Sequence, residues 1–123
     1  MKLLSPGVHG VLDYAMAGIF AVAPVLFMFG HSRTPITLCW IMASTLTATS
    51  LLTRYPLGAI RVIPFPVHGM IELASSIFLV AAPWLTGFSD QPIARMFFLS
   101  AGMSIFTLWL LTDYQATERR DAA

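Results

Sequence analysis

The chain is poor in cysteine and in charged residues, and each shortage excludes a class of protein. Cys39 is the single cysteine, so an intrachain disulfide and a multi-cysteine metal site are both excluded. Only 11% of the 123 residues are charged and 57% are hydrophobic, whereas a soluble domain carries about 25% charged residues. A chain this short cannot bury so much apolar surface in a water-soluble core. The composition therefore predicts an integral membrane protein in contact with the lipid bilayer.

Nucleic-acid binding and the common enzyme chemistries lack their usual signs in this sequence. The formal net charge is only +1, whereas a nucleic-acid footprint needs a clustered basic face. The sequence has no glycine-rich phosphate loop, no nucleophile elbow and no HExxH motif. We therefore expect no nucleic-acid partner, and no motif predicts an enzyme.

Four long runs contain no Asp, Glu, Lys or Arg, and they predict four transmembrane helices. The runs are 19, 20, 17 and 17 residues long and cover residues 14–32, 34–53, 73–89 and 96–112. A helix spans a bilayer with roughly 20 mostly apolar residues, in a range of about 17–25. With a few flanking residues each, the runs predict an all-α membrane four-helix bundle. The predicted helices lie near residues 8–29, 35–53, 67–87 and 92–113.

A histidine–carboxylate motif occurs twice, 59 residues apart, each time at the head of an apolar run. Residues 8–13 read VHGVLD and residues 67–72 read VHGMIE. The same spacing relates LLTRY at residues 51–55 to LLTDY at residues 110–114. The similarity therefore extends over both ends of each copy and indicates an internal duplication.

The duplication predicts how the chain is organised in the membrane. We expect a single membrane domain over residues 1–123, made of two tandem hairpins at residues 6–55 and 65–114. Each copy contains two spans, so both copies enter the membrane from the same side. This arrangement predicts a parallel repeat with a pseudo-two-fold axis along the membrane normal.

Lysine and arginine are unevenly divided between the two predicted sides of the membrane. The side with both termini and the central loop carries Lys2, Arg54, Arg61, Arg119 and Arg120, and the other side carries Arg33 and Arg95. Because short cytoplasmic loops carry the excess of these residues, we predict a bacterial inner (plasma) membrane protein with both termini cytoplasmic. Tyr55 and Tyr114 then fall at the inner interface, where we expect them to anchor the protein rather than contact a ligand.

The two histidine–carboxylate pairs predict a binding site between helices 1 and 3. Residues four apart lie on one helix face, and the predicted axis brings both pairs to the same depth. The candidate metal ligands are His9, Asp13, His68 and Glu72. Two nitrogens and two oxygens suit Zn, Fe or Mn, although each carboxylate could instead orient its histidine. Gly10 and Gly69 would let a backbone or a cofactor approach the histidines closely.

The same residues permit a haem or a proton relay. His9 and His68 could be the two axial ligands of a haem b, with Arg54 and Arg61 placed for its propionates. A porphyrin needs helices that stand well apart, whereas small residues beside the histidines favour close packing. Acids and histidines inside a membrane also mark proton paths.

The alternative to a ligand-binding protein is a structural or interaction subunit that holds no cofactor. Asp13 lies only about 10 Å along the helix axis from Pro6, near the headgroup boundary, where a charge costs less than at the bilayer centre. A carboxylate in the first turns also complements the helix dipole by about 0.3–1 kcal/mol. Each histidine–carboxylate pair would then only stabilise the start of its own helix, without binding a ligand. The small size predicts a homo-oligomer or a subunit of a larger membrane complex.

The end of predicted helix 3 resembles a known family. Residues 82–88 read APWLTGF, which resembles the SPW-repeat family of small integral membrane proteins. In that family a Ser-Pro-Trp triplet ends the first helix of each two-span repeat, with an acidic residue upstream and Gly-Phe downstream. This chain has Ala23 and Ala82 in place of the serine, and Val25 in place of the first tryptophan. The resemblance implies a membrane topology and no particular reaction.

Overall fold

The computed structural model describes residues 2–122, and it contains helices and no strand in that range. The helices are α1 (Pro6–Leu26), α2 (Arg33–Leu52), α3 (Phe65–Leu85), α4 (Pro92–Leu111) and the short α5 (Ala116–Ala122). Helix α1 packs against α2, and α3 packs against α4. The prediction of an all-α four-helix bundle is confirmed. The repeat boundaries at residues 6–55 and 65–114 stay a prediction.

Prolines mark the start of three long helices and explain where two of them begin. Pro6 is the first residue of α1, where its missing N–H is not needed. Ser5 caps this helix, because its hydroxyl accepts a hydrogen bond from the Val8 N–H at 3.4 Å. Pro66 is the second residue of α3, and Pro92 is the first residue of α4. Helices α1 and α3 consequently begin two residues earlier than predicted.

Helices α1 and α3 end at Leu26 and Leu85, before residues 29 and 87, where their ends were predicted. Pro24 and Pro83 each stand two residues before the end of the helix. Neither can donate the usual backbone hydrogen bond to the preceding turn. The chain then reverses with left-handed backbone at Met28 (φ 52°), Gly30 (φ 68°) and Gly87 (φ 83°).

Two short backbone pairings close the bundle at the end where α1 and α3 begin. Residues 3–4, which precede α1, pair with the end of α4: the Leu4 N–H donates to the Leu111 carbonyl at 2.9 Å. Residues 62–63, which precede α3, pair with the end of α2: the Ile63 N–H donates to the Leu52 carbonyl at 2.7 Å. These two stretches are termed the lead-in segments. They fasten the start of each hairpin to the end of the other hairpin.

Apolar side chains cover the outside of the bundle, as expected of a surface that faces lipid. Val25 is 82% exposed and Leu85 is 70% exposed, and extensive exposed apolar surface is typical of membrane contact. All four long helices are long and apolar enough to cross a membrane. Phe20, Phe88 and Phe98 fill the core of one half of the bundle. The other half, where α1 and α3 begin, encloses polar side chains.

Candidate metal centre

Four ionisable side chains meet inside the bundle, within the first three turns of α1 and α3. His9 and Asp13 come from α1, and His68 and Glu72 come from α3; these four residues are termed the quartet. None of them is more than 2% exposed. One ligand atom from each lies within 4.8 Å of the others. The structure therefore brings together all four predicted ligands, in an arrangement that could hold a metal ion.

Each imidazole of the quartet contacts both carboxylates through its Nε2 atom. The contacts are His9 to Asp13 Oδ1 at 3.2 Å, His9 to Glu72 Oε2 at 3.2 Å, His68 to Asp13 Oδ2 at 3.0 Å and His68 to Glu72 Oε1 at 3.7 Å. One of these contacts lies within α1 and one within α3, and the other two connect α1 with α3. The quartet is therefore one cluster shared by the two hairpins.

A threonine hydroxyl binds the Nδ1 atom of each imidazole. Thr112 Oγ1 lies 2.7 Å from His9 Nδ1, and Thr53 Oγ1 lies 2.8 Å from His68 Nδ1. Each hydroxyl donates its own hydrogen to the backbone carbonyl four residues earlier, at 2.5 Å for Thr53 and 2.7 Å for Thr112. Because a hydroxyl has a single hydrogen, it must accept one from the imidazole Nδ1. A neutral imidazole then has no hydrogen on Nε2, and this nitrogen is left as a donor atom for a metal.

The threonines reach these histidines because of the lead-in segments. Thr112 follows α4 yet binds His9 of α1, and Thr53 follows α2 yet binds His68 of α3. The lead-in segments place the start of α1 beside the end of α4, and the start of α3 beside the end of α2. The orientation of both imidazoles therefore depends on the backbone pairings that close the bundle.

Tyrosine hydroxyls bind one oxygen of each carboxylate. The Tyr55 hydroxyl donates to Asp13 Oδ2 at 3.4 Å, and the Ser50 hydroxyl donates to the same oxygen at 3.3 Å. The Tyr114 hydroxyl donates to Glu72 Oε2. The prediction that these tyrosines anchor the protein at the membrane interface is wrong. Tyr55 is 2% exposed and Tyr114 is 9% exposed, because the chain after α2 and after α4 folds back over the quartet.

Four buried atoms of the quartet have no hydrogen-bond partner. They are Nε2 of His9, Nε2 of His68, Oδ1 of Asp13 and Oε1 of Glu72. Nearly all buried polar atoms in proteins are paired, and leaving one unpaired costs about 1–3 kcal/mol. Two nitrogens and two oxygens left unpaired at one place are the donor set that a metal ion would satisfy.

Phe65 covers the quartet at the end of the bundle. This side chain is fully buried. Its ring centroid lies 5.2 Å from that of His9, 5.8 Å from that of His68, 5.4 Å from that of Tyr55 and 4.7 Å from that of Tyr114. An apolar shell of this kind restricts water and lowers the local dielectric around a metal site.

The two glycines that were predicted to admit a backbone or a cofactor lie against the tyrosine rings. A Cβ atom at Gly10 would lie 2.9 Å from Cε2 of Tyr55, and one at Gly69 would lie 2.9 Å from Cε1 of Tyr114. The ring of Tyr114 fills the space beside Gly69, and the ring of Tyr55 together with the Leu57 side chain fills the space beside Gly10. Each ring belongs to the tyrosine that binds the carboxylate of the same hairpin. In this structure the glycines position the tyrosines.

The sequence predicts the quartet but not the side chains that hold it. Those side chains belong to Ser50, Thr53, Tyr55, Phe65, Thr112 and Tyr114. The repeated LLT-x-Tyr pattern contains the missed signal, because it places a threonine and a tyrosine at the same distance from each histidine motif. Ser50 and Phe65 correspond to Trp109 and Pro6 in the other copy, so the repeat gives no signal for them.

Comparisons with known proteins assign no family to the chain. A scan against protein-family models finds no match, and searches of curated proteins and of solved structures find none either. The resemblance to the SPW-repeat family stays a prediction.

Replacing Gly69 with alanine tests whether the glycine positions the tyrosine. The new Cβ atom would lie 2.9–3.1 Å from three ring atoms of Tyr114, so the ring must move and its bond to Glu72 must weaken. We expect Gly69→Ala to lower the free energy of unfolding by about 1–3 kcal/mol. Thermal unfolding in detergent measures the change.

Gly18→Ala is the matched control for that substitution. Gly18 is also helical, and no atom lies within 4 Å of its Cβ position. An alanine there should leave stability unchanged or raise it by about 0.5–1 kcal/mol. If Gly69→Ala unfolds at the same temperature as Gly18→Ala, the close packing of the tyrosine on the glycine has no role in stability.

Proposed function

We propose that this protein is a multi-pass membrane protein that binds one divalent metal ion between α1 and α3, with the quartet as its ligands. The observation that carries the proposal is the set of four buried donor atoms that have no hydrogen-bond partner. Each hairpin contributes one nitrogen and one oxygen to this set. The metal would therefore join the two hairpins.

The charge balance of the quartet supports a divalent cation. Asp13 and Glu72 are 1% and 2% exposed, and among the described residues neither forms an ion pair with a lysine or an arginine. Burying a charge without compensation is very costly. One divalent ion balances two carboxylates while both imidazoles stay neutral. Two imidazolium ions would supply the same charge, because each Nε2 lies 3.0–3.7 Å from oxygens of both carboxylates; the metal content of the protein distinguishes the two arrangements.

The spacing of the two unpaired atoms within each helix is close to that of metal ligands, and one ligand atom from each quartet residue lies within 4.8 Å of the others. His9 Nε2 lies 3.2 Å from Asp13 Oδ1, and His68 Nε2 lies 3.7 Å from Glu72 Oε1. Four ligands at bonds of about 2.0–2.1 Å around a tetrahedral ion are about 3.3–3.4 Å apart. Small rotations of the side chains would bring both pairs to that separation.

The number of donor atoms favours Zn²⁺ among the predicted metals. The other oxygen of each carboxylate accepts a tyrosine hydrogen bond, which leaves one oxygen of each for the metal. Two imidazole nitrogens and two carboxylate oxygens complete a four-coordinate shell, the usual arrangement of a structural zinc site. Fe²⁺ and Mn²⁺ would require further ligands to reach their usual higher coordination.

The geometry favours a metal ion over a haem. The ring centroids of His9 and His68 are 5.5 Å apart, with planes inclined by 75°. Both carboxylates lie within 3.7 Å of the Nε2 atoms. A porphyrin between these nitrogens would displace both carboxylates from their hydrogen-bonded positions.

The proposal includes the predicted topology, a bacterial inner membrane protein with both termini cytoplasmic. Its support is the apolar outer surface, the four helices of membrane-spanning length and the distribution of lysine and arginine. On this orientation the quartet lies near the cytoplasmic leaflet. Assembly as a homo-oligomer or as a subunit of a larger complex remains a prediction from the small size of the chain.

The metal content of the purified protein tests the proposal. We expect about one equivalent of metal per chain, predominantly zinc, when the protein is prepared in detergent without chelators and measured by inductively coupled plasma mass spectrometry. His9→Ala and His68→Ala should each lose most of the metal, because each removes one ligand. His31→Ala is the control, since His31 is exposed in the turn after α1 and should leave the metal content unchanged.

Two outcomes of the metal measurement would contradict the proposal. A folded wild-type protein that stays metal-free after incubation with Zn²⁺, Fe²⁺ and Mn²⁺ would leave a structural or interaction subunit, or a metal-free proton relay, as its function. A Soret absorption band that disappears in His9→Ala and in His68→Ala would instead establish a haem protein.

The threonines provide a second test, because they orient the ligands without contacting the metal. Thr53→Val and Thr112→Val remove the acceptor for an imidazole Nδ1–H, and we expect each to weaken metal affinity by about 10–100-fold. Competition with a chromogenic chelator measures the affinity. Thr47→Val is the control, since the exposed Thr47 hydroxyl binds only the Ala43 carbonyl. Equal affinity of all three variants and the wild type would mean that the threonines do not orient the ligands.

A further inference from the structure

A cavity rich in arginine lies beside the quartet, at the same end of the bundle. It has a volume of about 310 Å³ and is lined by Arg54, Tyr55, Pro56, Arg61, Thr117 and Arg120. The lining comes from the loop after α2 and from α5. Three of the six residues are arginines, and none of the described lining residues is acidic. The described lining residues therefore give the cavity a positive charge.

The three arginines of the cavity form no ion pair with the acidic side chains that the structure describes. Among the side chains that the structure describes, Arg119 is the arginine that forms an ion pair, with Asp113. Its guanidinium holds the pKa of Asp113 below the usual value. Arg54, Arg61 and Arg120 form no such pair with a described acid. Like charges that share one cavity repel each other, so an anion bound there would relieve the repulsion.

Backbone carbonyls hold two of the guanidinium groups in place. Arg61 donates from Nε to the Gly58 carbonyl and from Nη2 to the Pro56 carbonyl, both at 3.3 Å. Arg54 donates from Nε to the Arg61 carbonyl at 3.3 Å. A guanidinium has five N–H groups, so most donors of both side chains stay available. Positioned arginine groups match the oxygens of a phosphate, which accept two parallel hydrogen bonds.

A buried hydroxyl in the cavity also has no partner. Thr117 Oγ1 is inaccessible to solvent and makes no hydrogen bond within the described part of the chain. Buried polar atoms without a partner are rare. Because this hydroxyl is inaccessible to solvent, an anion in the cavity would reach it only after the Thr117 side chain rotates, so the arginines supply the donors.

We propose that this cavity binds a phosphate group, carried either by an anionic phospholipid or by a soluble phosphate compound. The position of the cavity suits both sources, because it opens where the four long helices meet the predicted membrane surface, at the level of lipid headgroups. The inference goes beyond metal binding and does not depend on it. Tyr55 is shared by the two sites, since this residue lines the cavity and its hydroxyl binds Asp13.

Calorimetric titration separates the two sources of phosphate. Detergent-solubilised protein is titrated with inorganic phosphate in one arm and with short-chain phosphatidylglycerol in another. Saturation by inorganic phosphate assigns the cavity to a soluble phosphate compound, and saturation by phosphatidylglycerol alone assigns it to a lipid headgroup. Absence of saturable binding in both arms would overturn the proposal.

Charge-matched variants test whether binding occurs in the cavity. Arg54→Gln with Arg61→Gln should weaken the binding by about tenfold or more, because charge-assisted hydrogen bonds are lost. Arg33→Gln with Arg95→Gln removes the same charge at the opposite end of the bundle and should change the affinity by less than about twofold. Equal weakening in both double variants would overturn the proposal, since the effect would then be one of overall charge.

Arg120→Gln tests the cavity if the double variant Arg54→Gln with Arg61→Gln fails to fold. The Arg120 side chain makes no hydrogen bond in the described structure, so Arg120→Gln should retain the thermal unfolding temperature and the metal content of the wild type. We expect it to weaken phosphate binding by roughly threefold to tenfold. Unchanged binding in a folded Arg120→Gln protein would overturn the proposal as well.

Discussion

Two carboxylates buried in an apolar bundle are the constraint on which the rest of the structure depends. Asp13 and Glu72 are almost completely buried, and no lysine or arginine of the described chain reaches them. Their negative charge must therefore be balanced within the quartet. The two histidines contribute nitrogens, and a divalent ion would contribute the charge. Hydroxyl groups bind the other polar atoms of the quartet, and four atoms of the quartet stay without a partner.

The quartet and the bundle depend on each other. Helices α1 and α2 pack as one hairpin and α3 and α4 as another, whereas the site is built across both. Thr53 and Thr112 each bind the histidine of the opposite hairpin. The lead-in segments hold those ends together through backbone hydrogen bonds. A metal in the quartet would add a further link between α1 and α3 and would stabilise the closed bundle, because it binds only when both hairpins are in place.

Local sequence patterns predict the helices and the quartet, because both depend on short spacings. Charge-free runs give the spans to within a few residues, and the spacing of His9 and Asp13 places them on one helix face. The ends of α1 and α3 differ because the chain turns soon after them, with left-handed backbone at Met28, Gly30 and Gly87. Tyr55 and Tyr114 look like interface anchors in the sequence, since each follows a long apolar helix. Their burial depends on how the chain folds back over residues more than 40 positions earlier, which no local pattern shows.

The most direct test of the central claim is the X-ray absorption spectrum of the metal-loaded protein, recorded at the absorption edge of the bound metal. Ligation by the quartet predicts a first shell of four nitrogen and oxygen atoms at about 2.0–2.1 Å, with outer-shell scattering from two imidazole rings. A first shell that contains sulfur at about 2.3 Å, or a spectrum without imidazole scattering, would contradict ligation by His9 and His68.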